Sequence, residues 1–165
     1  MSEKNSWLEG KKILAVDDEE DVLEVIMEEL EIAEVDVAKN FETATDKINQ
    51  NHYDLVILDI MGVNGLKLLE NAVEKKMPAV MLTAHALNYE ILIKSIRKGS
   101  IGFLPKEKLA ELARLLNILM ATHVKGESTW QALFDEMGDF FNKSFGKPMG
   151  TVEWICRQIQ TERMV

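Results

Sequence analysis

Four apolar runs in this 165-residue chain each stop on a polar residue able to do chemistry. Lys12-Ile13-Leu14-Ala15-Val16 runs into Asp17 and Asp18, Leu55-Val56-Ile57-Leu58 into Asp59, Ala79-Val80-Met81-Leu82 into Thr83, and Ile101 to Leu104 into Pro105 and Lys106. Taken alone, Asp59 reads equally well as a carboxylate capping the next helix. If the four ends share one site, the reading changes. Two carboxylates about 4 Å apart repel by roughly 4 kcal/mol at an effective dielectric of about 20, so Asp17, Asp18 and Asp59 together must hold protons or a cation. Hard oxygen ligands without His or Cys suit Mg²⁺ or Mn²⁺, which keep several waters and bridge carboxylates to phosphate. A phosphoryl group would then meet the Lys106 ammonium as a point charge and the Thr83 hydroxyl as a donor. Asp59 becomes a candidate nucleophile, since carboxylates form aspartyl-phosphates.

Whether the ends converge depends on the elements between them. The five acids Asp17 to Asp21 interrupt the first strand and favour the positive end of a helix starting near Glu19 or Glu20, with Val22, Val25, Ile26 and Leu30 on one face. A second strand, Glu34 to Ala38, precedes Asn40, a good N-cap for a helix burying Phe41, Ala44 and Ile48. Beyond the dense Leu55 to Leu58 strand, Gly65 leads into a helix marked by Leu66, Leu69 and Val73, and Pro78 precedes the fourth strand. A fourth helix runs from about Asn88 to Lys98 with Gly99 as its C′ residue, and a last one carries Leu109, Leu112, Leu116 and Leu119. Five strands alternating with five helices specify an α/β parallel sheet, because each return to the same sheet needs a crossover helix. Parallel strands point their carboxyl ends the same way, so Asp17, Asp18, Asp59, Thr83 and Lys106 fall on one side, where open α/β sheets bind ligands.

Composition narrows the function classes. An apolar fraction of 47% fills the core of one domain with a modest appendage. A net charge of −9 argues against a nucleic-acid partner, which needs clustered Lys and Arg. One cysteine, Cys156, excludes an internal disulfide and reads as a small core residue. Met1 to Gly10 lacks the apolar core of a signal peptide, and no run is long enough to span a membrane. The expectation is a cytoplasmic protein with no membrane partner.

Four motifs now carry a resemblance: Ile13-Leu14-Ala15-Val16-Asp17-Asp18, Leu58-Asp59-Ile60-Met61, Leu82-Thr83-Ala84 and Phe103-Leu104-Pro105-Lys106. Over roughly residues 11 to 122 the chain resembles the receiver domain of two-component response regulators. That resemblance implies a doubly wound, flavodoxin-like sheet in the order 2-1-3-4-5. It implies Asp59 as phosphoacceptor, Asp18 as a direct Mg²⁺ ligand, Asp17 acting through water, and the backbone carbonyl of Met61 completing the protein ligands. Thr83 and Lys106 would hold the phosphoryl oxygens. It also implies a switch in which Thr83 moves inward, the aromatic Phe103 turns into the vacated space, and the face of the fourth helix, fifth strand and fifth helix changes shape. Phe103 reads equally as a core aromatic. A histidine kinase or phosphotransfer protein would be the phosphodonor, and an effector protein the recipient of the signal.

The chain departs from that pattern in two places. The loop Ile60 to Gly65 is shorter than the usual one and lacks its proline, which would displace the metal-ligand carbonyl. Glu107 stands after Lys106 where the family usually has a cis proline; a non-proline cis bond costs about 3 to 4 kcal/mol, so either that strain persists or the loop is trans and Lys106 approaches differently. The fourth helix carries Ile91, Leu92, Ile93 and Ile96, more apolar residues than one stripe needs, as for a partner surface or for burial against the tail.

From His123 the sequence leaves the pattern and Gly126 marks a boundary, making residues 127–165 a helical extension. Ser128 and Gln131 fit a capping box for a helix bearing Trp130, Leu133, Phe134, Met137 and Phe141. Val152, Ile155, Cys156 and Ile159 mark a second helix, completing an αα-hairpin too short and insufficiently basic for a DNA-binding output domain. Its apolar faces must pack on the receiver, join a second copy in a homodimer, or dock an effector. The leading reading is a phosphorylation-dependent signalling module, not an enzyme beyond self-phosphorylation from small donors and autodephosphorylation. A receiver-fold adaptor that works without phosphate is the alternative. A Mg²⁺-dependent phosphohydrolase is the third and least favoured reading, because the haloacid dehalogenase type needs a second acid where Met61 stands.

By the same resemblance, Met61 and His85 flank the site and bear on how water reaches the phosphoryl group; His85 reads equally as an exposed loop histidine. An apolar Met61 should hinder water, so the phosphoaspartate is expected to be long-lived. Loss of phosphate within minutes or faster in purified protein with Mg²⁺ would contradict this.

Overall fold

The computed structural model of the protein describes residues 6–84 and 89–145. Strands β1 (Lys12–Val16), β2 (Glu34–Ala38), β3 (Leu55–Asp59), β4 (Ala79–Thr83) and β5 (Gly102–Pro105) form one parallel sheet in the order β2-β1-β3-β4-β5. Helices α1 (Glu20–Glu29), α2 (Phe41–Gln50), α3 (Gly65–Glu74) and α4 (Tyr89–Arg97) make the crossovers. A 3-10 turn, Lys106–Glu111, leads from β5 into α5 (Leu112–Val124), and α6 (Thr129–Phe145) follows. Right-handed crossovers in this order place α1 and α5 on one face and α2, α3 and α4 on the other. This is the expected flavodoxin-like arrangement.

The register sets the height of each functional residue. Val16 lies opposite Leu58, Leu58 opposite Met81, and Met81 opposite Phe103. One residue on, Asp17 and Asp59 stand level with each other. Thr83 lies one residue further along and Lys106 two, so the four close on one another at the carboxyl end of the sheet. Behind them β3 and β4 are wholly buried, as expected of central strands covered by helices on both faces.

Helix ends follow their sequence signals in most places. Asn40 Oδ1 accepts from the Thr43 N–H at 2.8 Å, and Gly99 takes a positive φ of 101° after α4. Ser128 Oγ accepts from the Gln131 N–H at 3.1 Å, but the Gln131 amide reaches forward to Asp135 at 3.0 Å, so only half of the expected capping box is formed. The Asn88 cap, His85 and the second tail helix lie outside the described residues.

Two helices are rotated from the stripes that the sequence suggests. On α1 the buried residues are Leu23 and Ile26, with Leu30 just after it, while Val25 is exposed. On α3 the buried set is Gly65, Leu68, Leu69 and Ala72, and Val73 faces out. The cause on α3 is Gly65, which must face the backbone of β3 because a Cβ there would overlap the Asp59 carbonyl. Once Gly65 points inward, the helical period carries Leu68, Leu69 and Ala72 inward with it.

The α4 surplus is absorbed by packing: Leu92 and Ile93 are buried and Ile91 and Ile96 are partly buried against the core. Packing on the sheet is also what α6 does. Trp130, Leu133, Phe134 and Met137 are buried against α5 and β5, and the Trp130 indole N–H donates to the Ser100 carbonyl at 2.9 Å. That explains why β5, an edge strand, is buried along its length whereas β2, the other edge, is not. The packed unit also reaches back to Ser6, whose hydroxyl bonds Asn117 on α5, and to the fully buried Leu8.

At the β2 edge, Asp36 accepts from the buried Tyr53 hydroxyl and from Lys47, both at 2.6 Å. Burial raises the Asp36 pKa, but hydrogen bonds from Lys47 and Tyr53 outweigh it and hold the group below the usual carboxylate range. A depressed folded-state pKa contributes stability that is present above about pH 4 and lost as pH falls through the lowered value. Since the Asp36 side chain is 36% exposed and keeps Lys47, Tyr53→Phe should cost only about 1 kcal/mol. Urea denaturation should show that cost at neutral pH and a narrowing gap in acid; a gap independent of pH would contradict the ionised pair.

Candidate functional site

The site begins with a buried carboxylate at the end of β1. The Asp17 N–H donates to the Ala38 carbonyl at 3.1 Å, which extends the β1–β2 ladder and fixes the backbone. Its side chain is fully buried, with Oδ1 accepting from the Glu19 N–H at 2.8 Å. Asp18 next to it is exposed. On β3, Asp59 is buried and its Oδ2 accepts from the Gly62 N–H at 3.1 Å.

Lys106 ties these acids together. Its ammonium lies 2.8 Å from Asp17 Oδ2, 3.0 Å from Glu19 Oε1 and 3.2 Å from Asp59 Oδ1, and its side chain is only 14% exposed. Burial by itself lowers the Lys106 pKa, but hydrogen bonds to Asp17 and Glu19 and the field of Asp59 raise it well above the ordinary value. The cation is therefore fixed. For Asp17 burial is the dominant influence and raises its pKa; the Asp59 charge adds to the rise, and Lys106 and the Glu19 N–H oppose it. Asp17 remains the strained member of the group.

Among the described residues, Asp17, Asp18 and Glu19 each bring one carboxylate oxygen within 4.8 Å of the others. An all-oxygen acidic set of this kind fits a hard divalent cation such as Mg²⁺. Sequence reasoning assigned Glu19 only to the start of α1. Its side chain instead leaves the helix N-terminus uncapped, remains 62% exposed, and reaches Lys106. The unbroken acidic run Asp17-Asp18-Glu19 was the available signal, but sequence cannot show which way the third acid turns.

The short loop after Asp59 is accommodated by glycine. A Cβ on Gly62 would fall inside contact distance of the Asp18 carboxylate, so the Met61–Gly62 peptide lies directly beside Asp18. The Met61 side chain stands in solvent, 80% exposed. Asn64 then takes a left-handed conformation, φ 55°, and the Gly65 N–H closes the turn on the Ile60 carbonyl at 3.0 Å. After Lys106 the question of a strained bond does not arise: the described backbone has no cis peptide, and the 3-10 turn brings Lys106 to Asp59.

Thr83 and Phe103 complete the predicted set. The Thr83 hydroxyl is largely buried and donates to the Ala84 carbonyl at 3.2 Å. Phe103 is fully buried on β5, opposite Met81.

Comparison with known proteins agrees with this geometry. Residues 13–117 match the family model of the response regulator receiver domain. The two-component response regulator ARR18 of Arabidopsis thaliana is 33% identical over 123 residues, covering 70% of this chain and 19% of that protein. The receiver domain of the Francisella response regulator 1452 superposes with a TM-score of 0.59 at 29% identity, covering 67% of this chain and 96% of that one. A response regulator from Thermotoga maritima has the same fold, with a TM-score of 0.62 at 20% identity over 68% of this chain and 98% of that one. The chain spans less than a third of the length of the curated relatives it matches.

The two loop glycines should fail differently when substituted. Gly65→Ala sets a Cβ against the Asp59 backbone, which cannot yield, and should destabilise by about 3 kcal/mol. Gly62→Ala meets the Asp18 side chain, which can turn away, so it should retain most of its stability. Urea unfolding separates the two; an equal loss of stability in both variants would contradict the placement of that loop.

Proposed function

The chain belongs to the response regulator receiver domain family, and on that premise we propose that it accepts a phosphoryl group on Asp59 and relays the change to an effector protein. An Asp59 carboxylate oxygen attacks phosphorus on a phosphohistidine of a histidine kinase or phosphotransfer protein. The P–N bond breaks as the O–P bond forms, its electron pair goes to the ring nitrogen, and the imidazole, already protonated on its other nitrogen, leaves neutral. The observation that carries this reading is the Lys106 ammonium seated 3.2 Å from Asp59 in a buried pocket, with the Gly62 N–H on the other Asp59 oxygen. Both donors are in place before charge develops, which is what electrostatic preorganisation requires.

Asp17 and Asp18, with the Met61 carbonyl, would hold Mg²⁺ or Mn²⁺, and Glu19 stands close enough to contribute. Such an ion supplies positive charge that neutralises phosphoryl oxygens. Lys106 transfers from carboxylate partners to the phosphoryl group. The Thr83 hydroxyl, bonded now to a neighbouring carbonyl, turns toward the same group by a change of rotamer. Phe103 is already inside, so its part in the switch is a repacking within the core around β5. The face of α4, β5 and α5 and the extension at 127–165 then pass the signal on, with residues 11–122 as the receiver unit and the cytoplasm as the setting.

One observation favours the alternative, an adaptor that works without phosphate. Asp17, Glu19 and Asp59 already partner the Lys106 ammonium, so its placement does not require a phosphoryl group.

Incubation with phosphoramidate and Mg²⁺ should add the mass of one phosphoryl group to the wild type and nothing to Asp59→Asn. Lys106→Ala should react roughly a hundredfold more slowly. Beryllofluoride with Mg²⁺ should bind the wild type and not Asp59→Ala, and sedimentation in its presence would report whether the chain self-associates. Failure of the wild type both to gain phosphate and to bind beryllofluoride would overturn phosphoacceptance in favour of the adaptor.

A further inference from the structure

Lys106 belongs to two structures at once. Its ammonium stands among Asp17, Glu19 and Asp59, and its backbone opens the 3-10 turn Lys106–Glu111. Two residues on, the Lys108 ammonium lies over the Phe140 ring of α6, 5.8 Å from its centroid, within the range of a cation–π contact. At the end of the turn Glu111 pairs with Arg114 of α5, and Arg114 pairs in turn with Glu136 of α6. The turn is thus connected to α6 on both sides of Met137.

Met137 is where α6 is jointed. Its φ of −129° and ψ of 19° interrupt the helix. Before it, Trp130, Leu133 and Phe134 are buried, and the Trp130 indole is anchored on Ser100 at the opposite end of β5 from the acid pocket. After it, Gly138 has open space where a side chain would be, and Phe140 is half-buried against the turn. A 3-10 turn has poorer hydrogen-bond geometry than an α-helix and deforms more readily. The mostly buried Lys106 stem has little freedom to absorb a change at its tip, so a new partner for the ammonium displaces the turn.

We propose that the part of α6 beyond Met137 reports the state of the acid pocket: it changes its seat on the 3-10 turn when Lys106 changes partners, while the part before Met137 stays docked. The ligand that triggers this rests on the phosphoacceptor reading above; the mechanical coupling does not.

Hydrogen exchange of the full chain, followed by mass spectrometry, separates the two. In Lys106→Ala without ligand, exchange in 138–145 should rise roughly three- to tenfold while 129–136 is unchanged. In the wild type, Mg²⁺ with beryllofluoride should protect 60–65 and alter 138–145 together. Phe140→Ala should raise exchange in 138–145 by itself and make it insensitive to the mimic, with 129–136 unchanged as the control for folding. Equal exchange of 138–145 in the wild type and Lys106→Ala, or an equal rise across 129–136, overturns the coupling. Protection at 60–65 with 138–145 unmoved also overturns it and leaves phosphoacceptance standing. A response to Lys106→Ala with no protection by the mimic overturns phosphoacceptance and leaves the coupling standing.

Discussion

A single ammonium holds the carboxyl end of the sheet together. Asp17 and Asp59 are buried at the same height on neighbouring strands, and Lys106 lies between them with Glu19 closing from α1. Two buried carboxylates with no cation would repel and lose their hydration, a combination costing several kcal/mol. Lys106 offsets part of this. With Asp18 included, four acids face one lysine, so the pocket keeps an excess of negative charge. Burial is what chiefly raises the Asp17 pKa, and the Asp59 charge adds to it. The folded state tolerates the buried acids because of Lys106, and the all-oxygen set around it fits a hard divalent cation.

The second constraint is steric. The segment between Asp59 and α3 is short, and it must bring a peptide beside Asp18 and start a helix against the β3 backbone. Gly62 and Gly65 permit this because a side chain at either position would overlap the acid or the strand. The same contact sets the rotation of α3 and therefore which of its apolar residues reach the core. A local requirement of the site thus propagates through the helical period into packing some distance away.

The third feature is the cover on β5. An edge strand of a parallel sheet leaves backbone groups open to other chains. Here α6 packs mainly on α5 and also touches β5, with the Trp130 indole donating to the Ser100 carbonyl at one end and Phe140 meeting the turn after Lys106 at the other. Among the described residues, α6 is therefore packed into the same core as the sheet, from the far end of β5 to its carboxyl end.

Much of this was legible in the residues themselves. The alternation of β-branched runs with amphipathic segments determined the fold class, since only crossover helices can return a chain to a parallel sheet. Polar residues closing four of those runs put Asp17, Asp18, Asp59, Thr83 and Lys106 at one end of the sheet, because parallel strands present their ends together. Asn40 and Gly99 marked helix ends by local chemistry alone. Tertiary structure decided what depends on contacts between distant segments. The reach of Glu19 to Lys106 spans 87 positions in the chain. The inward turn of Leu68 and Ala72 follows from Gly65 meeting the β3 backbone at Asp59. The seat of α6 on β5 follows from which apolar face was left to cover. Sequence period names a helix and its apolar residues; which face turns inward, and which cation a carboxylate meets, is settled when the pieces close on one another.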